Sequence, residues 1–204
     1  MLHLNTIDEV THNLMLNLLG KNYLSSFSLV GGTALSLHYG HRKSIDIDLF
    51  STKTFVPSDL DNDLTADFDN YVYRGNNRSM LFCNIGPVKT DLVFHPFQLL
   101  APVQTTEGIR MFSIEDIAAM KQFAICKRGT RKDMYDIWML LQHYSARQLA
   151  DLFIQKYGEE KLIFLHKSIL YFEEAEMSEQ PEVLLPGLSW EKVKKDITAA
   201  FKSF

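Results

Sequence analysis

The chain of 204 residues contains only two cysteines, Cys83 and Cys126, far apart and without metal-ligand spacing. That excludes a disulfide framework and a zinc ribbon, and it predicts reduced, packed thiols in the cytosol. No apolar run approaches the ~20 residues that span a bilayer, and no charged-then-apolar leader opens the sequence. A soluble cytoplasmic protein with no membrane partner is therefore expected. Positive charge is not in excess either. The net charge of −4 argues against a broad nucleic-acid-binding surface but is compatible with a local basic cleft. Internal repeats and low-complexity tracts are missing. His38, His41 and His95 form no zinc-like set and are expected to be satisfied polar residues. Ser36 has no paired base and is dismissed as a nucleophile.

What is present is a hydrophobic content of 46%, enough for one good-sized domain or two small ones. Its patterning divides the chain into an α/β part, residues 1–110, and a helical part, residues 111–204. The spacing predicts a helix over 5–19, a buried strand over 27–30, a helix over 33–39 stopped by Gly40, and a strand over 45–50. A polar segment, 51–66, follows. Strands over 71–73 and 79–83 flank Gly75, Asn76 and Asn77, a hairpin signature, and another strand covers 89–94. Ser113 and Asp116 read as a capping box opening a helix to Cys126, and Thr130 and Asp133 repeat that grammar for a helix to about His143. Further helices are expected over 146–156, 159–176 and 189–202. The fold class is α+β.

The chemistry concentrates in two stretches, Val30-Gly31-Gly32-Thr33-Ala34-Leu35 and Ser44-Ile45-Asp46-Ile47-Asp48-Leu49-Phe50. A glycine pair between strand and helix lets backbone N–H groups approach a phosphate at a helix N-terminus, and Thr33 adds a hydroxyl. In the second stretch the period-two alternation puts Asp46 and Asp48 on one face and the apolar residues on the other. Such a pair repels itself unless solvated or bridged by a divalent cation, and hard oxygen ligands favour magnesium or manganese. Asp91 lies on a later strand of the same alternation, so an adjacent strand would bring a third carboxylate to the same point. The bland alternatives are a plain tight turn for the glycines and a solvated edge for the acids.

Lys121 falls within the apolar stripe of its helix, where a lysine must snorkel to solvent or meet an anion; the rest of the site favours a triphosphate in the cleft as that anion, over snorkelling. Arg131 and Lys132 stand in the first turn of the next helix, against the macrodipole, a conflict that a bound phosphate would relieve. The competing account makes Asp133 a capping acid and Lys132–Asp136 an ordinary i,i+4 pair.

With these positions assembled, the chain resembles the nucleotidyltransferase superfamily: Gly31-Gly32, thirteen intervening residues, Asp46-Ile47-Asp48, and Asp91 on a later strand. More narrowly it is similar to the AbiEii/AbiGii toxin family of type IV toxin–antitoxin and abortive-infection systems. The glycine stretch, His41-Arg42, Ser44 and the Asp46–Phe50 stretch match that family's first motif. The helix carrying Lys121 matches its third motif, and Lys127, Lys132-Asp133 and Asp136 match its fourth. The resemblance implies a polymerase-β-like core, an NTP substrate with Mg2+ or Mn2+, and a helical C-terminal half that completes the cleft. It assigns metal ligation to Asp46, Asp48 and Asp91, and nucleotide contacts to Gly31, Gly32, Thr33, Arg42, Ser44, Lys121, Lys127 and Lys132. The catalytic set it implies is Asp46, Asp48, Asp91 and Lys132, with Asp133 and Asp136 as the family's essential acids. Related toxins add nucleotides to tRNA 3′ ends, so an RNA acceptor and a separately encoded antitoxin are implied. Two alternatives stay open: nucleotidylation of a small molecule or protein hydroxyl, and a catalytically silent nucleotide-binding module.

Overall fold

The computed structural model describes residues 1–202; residues 203 and 204, the end of the expected helical part, lie outside the described residues. Seven strands form one mixed sheet: β1 (Phe27–Leu29), β2 (Ile47–Ser51), β3 (Tyr71–Asn77), β4 (Met80–Ile85), β5 (Val88–Phe94), β6 (Gln104–Thr106) and β7 (Ile109–Met111). Their order is β3-β4-β5-β2-β1-β7-β6. The β2–β5 and β1–β7 pairs are parallel, and the remaining pairs are antiparallel. The α-helices among the described residues are α1 (Glu9–Gly20), α2 (Gly31–Tyr39), α3 (Pro57–Asp67), α4 (Ile114–Ile125), α5 (Arg131–Leu140), α6 (Ala146–Tyr157), α7 (Leu162–Ile169), α8 (Glu173–Met177) and α9 (Trp190–Lys202). The fold is α+β, as the patterning predicts.

Several local expectations are corrected. Ile45 lies outside β2 and is exposed, whereas Ile47 and Leu49 are fully buried. The strand's buried face therefore begins at Ile47. The polar segment 51–66 contains α3. Pro57 sits in its first turn with Asp59, a favourable helix start, and Leu60 and Leu64 bury one narrow stripe. The hairpin does not turn at Gly75, Asn76 and Asn77, which belong to β3. Asn77 pairs with Met80, so the turn is Arg78-Ser79, closed by the Ser79 N–H donating to Asn77 Oδ1 at 2.9 Å. Gly75 instead marks a shift of register, with φ of 150°. The short β6–β7 hairpin has no counterpart in the expected elements. The expected helix over 159–176 is broken between α7 and α8. There the chain turns so that α8 meets the start of α5: the Gly129 N–H donates to Glu174, and Arg131 Nε donates to the Ala175 carbonyl.

One continuous core runs through both parts of the chain. Leu29, Ile47, Leu49, Leu81 and Leu92 of the sheet join Ile117, Met134, Ile137, Leu149, Phe153, Val193 and Ile197 of the helices. Val193, Ile197 and Phe201 repeat at i, i+4 and i+8 along α9, which packs on α5 and α7. α2 packs on β2, α4 and α5, so its N-terminus sits where sheet and helices meet.

A buried ion pair fastens the loop after β5 to the helices. Lys156 of α6 donates to Asp116 of α4 at 2.5 Å, with both side chains inaccessible. Lys156 also reaches the Gln98 carbonyl. The Asp116 carboxylate accepts from the Leu100 and Ala101 N–H groups and from Ser113 Oγ. Removing one partner of such a pair strands a buried charge and typically costs ~3 kcal/mol or more. Lys156→Ala is expected to lower the unfolding free energy by about 3 kcal/mol in urea titration, against less than about 0.5 kcal/mol for Lys161→Ala. Equal effects of the two substitutions would show that the buried pair contributes no more than a surface one.

Candidate active site

A cleft of about 330 Å³ opens between the sheet and helices α4 and α5. Its floor is the turn from β1 into α2. Gly31 has φ of 73°, a left-handed conformation that strains any side chain. A Cβ there would run into the Asp48 carboxylate, and a Cβ on Gly32 would run into the Arg42 guanidinium. Val30 gives α2 no side-chain cap, and no acidic residue stands in its first turn. The first N–H groups of the helix, with the positive end of its dipole, therefore face an anion-sized space.

Asp48 and Asp91 are register partners on the parallel strands β2 and β5, which lie about 4.8 Å apart. Asp46 precedes β2 at the rim. All three line the cleft. Burial pushes the Asp48 carboxyl up from its ordinary value, and the Asp91 charge adds to that. Asp91 is paired with Arg74 at 3.3 Å and Lys89 at 3.2 Å, and Asp46 with Lys132 at 3.6 Å. Among the described residues no three carboxylate, imidazole or thiolate groups converge on one point as a finished metal cage. The donor chemistry nevertheless suits a hard divalent cation, which would offset the charge that Asp48 and Asp91 place on facing positions.

Arg42 and Lys121 both line the cleft, and both are gripped from behind by Asp136 of α5. Arg42 donates to its carboxylate through Nε at 2.7 Å and Nη2 at 2.8 Å. Lys121 donates to it at 2.6 Å, and the His41 ring at 2.7 Å. Lys121 also meets Asp133 at 3.3 Å, and Asp133 accepts from Thr130 Oγ1. The anion required by a lysine in an apolar stripe is thus supplied within the chain. Asp136 itself is fully buried. Arg42, Lys121 and the His41 hydrogen bond hold its carboxyl well below the usual carboxylate range despite that burial. Burial lowers the His41 pKa against the pull of the Asp136 charge.

The structure does not bring every expected residue to the cleft. Gly31, Gly32, Arg42, Ser44, Asp46, Asp48, Asp91, Lys121, Lys127 and Lys132 line it. Thr33 does not. It is 1% exposed, on the inner side of α2, and its hydroxyl meets Ser44 Oγ and the Asp46 carbonyl, tying the glycine turn to the start of β2. Asp133 and Asp136 lie beneath the cleft and act on it through Arg42 and Lys121. Among the described residues no Lys132–Asp136 pair forms, Lys132 reaching Asp46 instead, and Thr130 makes no side-chain bond to the backbone; of the bland account of this helix start only the Thr130–Asp133 contact remains. Arg131 turns away from the cleft, onto Trp190 and α8.

One half of the cleft was not visible in the motifs: an apolar chamber of Phe50, Val93, Phe97, Met120, Phe123 and Tyr157. Phe123 and Tyr157 stack with centroids 4.5 Å apart, Phe97 meets Tyr157 edge-on at 4.7 Å, and Lys127 lies over the Phe123 ring. A planar, largely apolar group fits such walls. His95 also lines the chamber. It is not the satisfied residue expected, because its Nε2 has no partner among the described residues. Enclosure by Phe50, Phe97 and Phe112 goes with a pKa pushed down to about 4, leaving a neutral ring. The run His95-Pro96-Phe97 directly after the Asp91 strand was the one signal in the sequence for it.

Comparison with known proteins supplies a context for this geometry. A family model described as "Nucleotidyl transferase AbiEii toxin, Type IV TA system" matches residues 15–80 and 82–203. An uncharacterized protein of Aquifex aeolicus (strain VF5), aq_aa25, is 30% identical over 190 residues, 88% of each chain. JHP933 from Helicobacter pylori superposes with a TM-score of 0.58 at 18% identity, covering 97% of this chain and 92% of that one. MenT4, a nucleotidyltransferase toxin from Mycobacterium tuberculosis, gives a TM-score of 0.59 at 14% identity over 96% of this chain and 82% of its own. At those identities the two structures show a shared fold.

The grip of Asp136 can be measured directly. A carboxyl whose folded pKa is depressed contributes stability above its unfolded pKa, lost as pH falls through the folded value. The wild type is therefore expected to lose stability below about pH 4, and Asp136→Asn to show a flatter acid limb. At neutral pH the variant should be less stable by about 3 kcal/mol, since Arg42 and Lys121 stay buried with half their counter-charge gone. Urea unfolding across pH checks both; parallel acid limbs would mean that the carboxylate charge is not what binds the cations.

Proposed function

The chain belongs to the AbiEii nucleotidyltransferase toxin family of type IV toxin–antitoxin systems, and from that premise we propose a divalent-metal-dependent transfer of NMP from an NTP to an RNA hydroxyl, such as a tRNA 3′ end. That the protein is a nucleotidyltransferase follows from the family; the metal, the acceptor and the residue roles are the proposal. The observation that carries it is the register of Asp48 with Asp91 directly above the glycine turn that a Cβ would fill. Three carboxylates, a glycine turn at a helix N-terminus and an aromatic chamber meet in one cleft.

In this reading Asp46, Asp48 and Asp91 hold Mg2+ or Mn2+, which when bound polarises the α-phosphoryl group and offsets its charge. The N–H groups of Gly31 and Gly32 donate to phosphate oxygens. Arg42, Lys121, Lys127 and Lys132 balance the triphosphate, and Ser44 with Thr33 fixes the turn beside it. The chamber between Phe97, Phe123 and Tyr157 receives the base. The acceptor oxygen then bonds to the α-phosphorus as the bond to the β-phosphate's bridging oxygen breaks. Its proton passes to an Asp91 carboxylate oxygen, and pyrophosphate leaves with its charge offset by Lys132. Among the described residues no helix is long and apolar enough to cross a membrane, which suits work in the cytoplasm on free RNA under the control of a separately encoded antitoxin.

Two substitutions separate these roles. Asp48→Asn keeps the shape but removes a half-buried charge facing Asp91, so it should abolish magnesium-dependent NTP binding in calorimetry while raising the melting temperature without metal. Unchanged Mg–NTP affinity would remove Asp48 from the metal site. Lys132→Ala removes a half-exposed cation whose electrostatic help is worth ~3 kcal/mol in the transition state. Turnover should fall about a hundredfold with little change in melting temperature; full activity would return Lys132 to the surface.

A further inference from the structure

The sheet face beside Asp91 extends beyond the cleft, and among the described residues the one helix that packs closely on β3 and β4 is α3, on the opposite face. α3 packs on β3 and β4, whose Leu81, Cys83 and Ile85 are buried with Leu60 and Leu64 in the common core. The alternate residues point the other way. On that open face Phe82 is the register partner of Asp91, and Asn84 of Lys89. Phe82 and Asn84 are half-buried. Arg74 stands at the shift of register between β3 and β4, which aims it across the strands, and its guanidinium reaches Asp91. The side chains of Arg74 and Lys89 are 37% and 39% exposed, and Asp91 is their one ion-pair partner among the described residues. Arg78 and Asn77 continue the exposed polar row at the hairpin turn. These cations come from β3, β5 and the hairpin tip: Lys89 stands at the edge of the cleft, whose lining it shares with Arg42, Lys121, Lys127 and Lys132, and Arg74 and Arg78 extend the charge beyond it.

We propose that this face of β3–β5 docks the acceptor as a single-stranded nucleic acid, Arg74 and Lys89 holding its phosphodiesters and Phe82 stacking a base. The inference rests on the transfer reading above and names the acceptor's docking site within it. Charge complementarity selects the occupant: two half-exposed cations in a chain of net charge −4, flanking an aromatic ring on an open sheet, form a stacking platform with a phosphate track. The same groups order the events. With no strand bound, Arg74 and Lys89 neutralise Asp91. A phosphodiester at that position competes for both cations and leaves the Asp91 carboxylate free beside the incoming hydroxyl. A phosphate-free acceptor, protein or small molecule, has no use for either cation.

The test uses the full chain and a fluorescein-labelled oligoribonucleotide with a free 3′ hydroxyl, followed by anisotropy across salt concentrations. Mg–NTP binding is measured in parallel by calorimetry. The double variant Arg74→Gln/Lys89→Gln should bind the oligonucleotide at least about tenfold more weakly. Its slope of log affinity against log salt should be shallower by about 0.7 for each phosphate that is no longer neutralised. Phe82→Leu should weaken binding about tenfold with the slope unchanged. Mg–NTP affinity should hold in Phe82→Leu, whose ring does not line the cleft, and cooperative urea unfolding with an unchanged far-UV circular dichroism spectrum certifies the fold of both variants. Wild-type affinity and slope in the double variant overturn the proposal, and a changed melting temperature alone would then mark the pair as charge balance for Asp91. If the wild type binds Mg–NTP and labels a protein or small molecule but not the oligonucleotide, the docking site fails while the transfer reading stands. If the wild type binds no Mg–NTP, the transfer reading fails, and the anisotropy still decides the docking surface.

Discussion

The Asp136 carboxylate, without exposure and gripped by Arg42, Lys121 and His41, is the constraint on which the cleft depends. Arg42 belongs to the connection between α2 and β2, Lys121 to α4 and Asp136 to α5, so one carboxylate joins the sheet part to two helices of the helical part. Two cations and the two carboxylates Asp133 and Asp136 balance in charge, which is what allows them all to be buried. The connection is locked from outside as well. Arg42 forms a β-bridge with Val183, and the Lys43 and Leu184 N–H groups donate to the Glu182 and His41 carbonyls. With Arg42 fixed in this way its Nη2 lies where only a glycine at position 32 leaves room. The glycine turn thus inherits its shape from Asp136, a buried carboxylate that lies beneath the cleft and acts on it through Arg42 and Lys121.

Around that anchor the cleft concentrates charge in a way that works against the stability of the empty protein. Asp48 is pushed toward protonation by burial and by Asp91. Lys132 opens a helix whose macrodipole it opposes. The first N–H groups of α2 have no side-chain cap. In the proposed reading each of these local costs would be relieved by one component of a metal–triphosphate complex: a cation at the carboxylates, phosphates at Lys132 and at the helix N-terminus. The aromatic chamber on the other side offers the complementary property, an apolar slot. Structural demand and ligand chemistry are separated in space, with Asp136 and Asp133 below the surface and Asp46, Asp48 and Asp91 on it.

Much of this was legible in the sequence because it rests on periodicity. The alternation around Asp46, Asp48 and Asp91 places the acids on one side of the sheet, and only a neighbouring-strand pairing of β2 with β5 was needed to join them. Lys121 in an apolar stripe announces a buried anion, but which anion is a tertiary fact, and it proved to be Asp136 and Asp133. Thr33 shows the limit of local reasoning: next to a phosphate-binding turn its hydroxyl looks available, yet the helix rotates it inward to Ser44. α3 escaped because two leucines in a polar stretch give little periodic signal, although Pro57 and Asp59 mark its start. The chamber draws Phe50, Phe97, Phe123 and Tyr157 from four places in the chain, and no spacing rule connects them.

The central claim, nucleotidyl transfer at the Asp48–Asp91 cleft, is tested most directly by following the label in NTPs carrying radiophosphorus at the α or the γ position, with magnesium and an RNA acceptor. The account predicts that α-label becomes covalently attached to the acceptor while γ-label is released as pyrophosphate, and that chelating the metal stops both. Attachment of γ-label, or α-label left only in free nucleotide products, would contradict it.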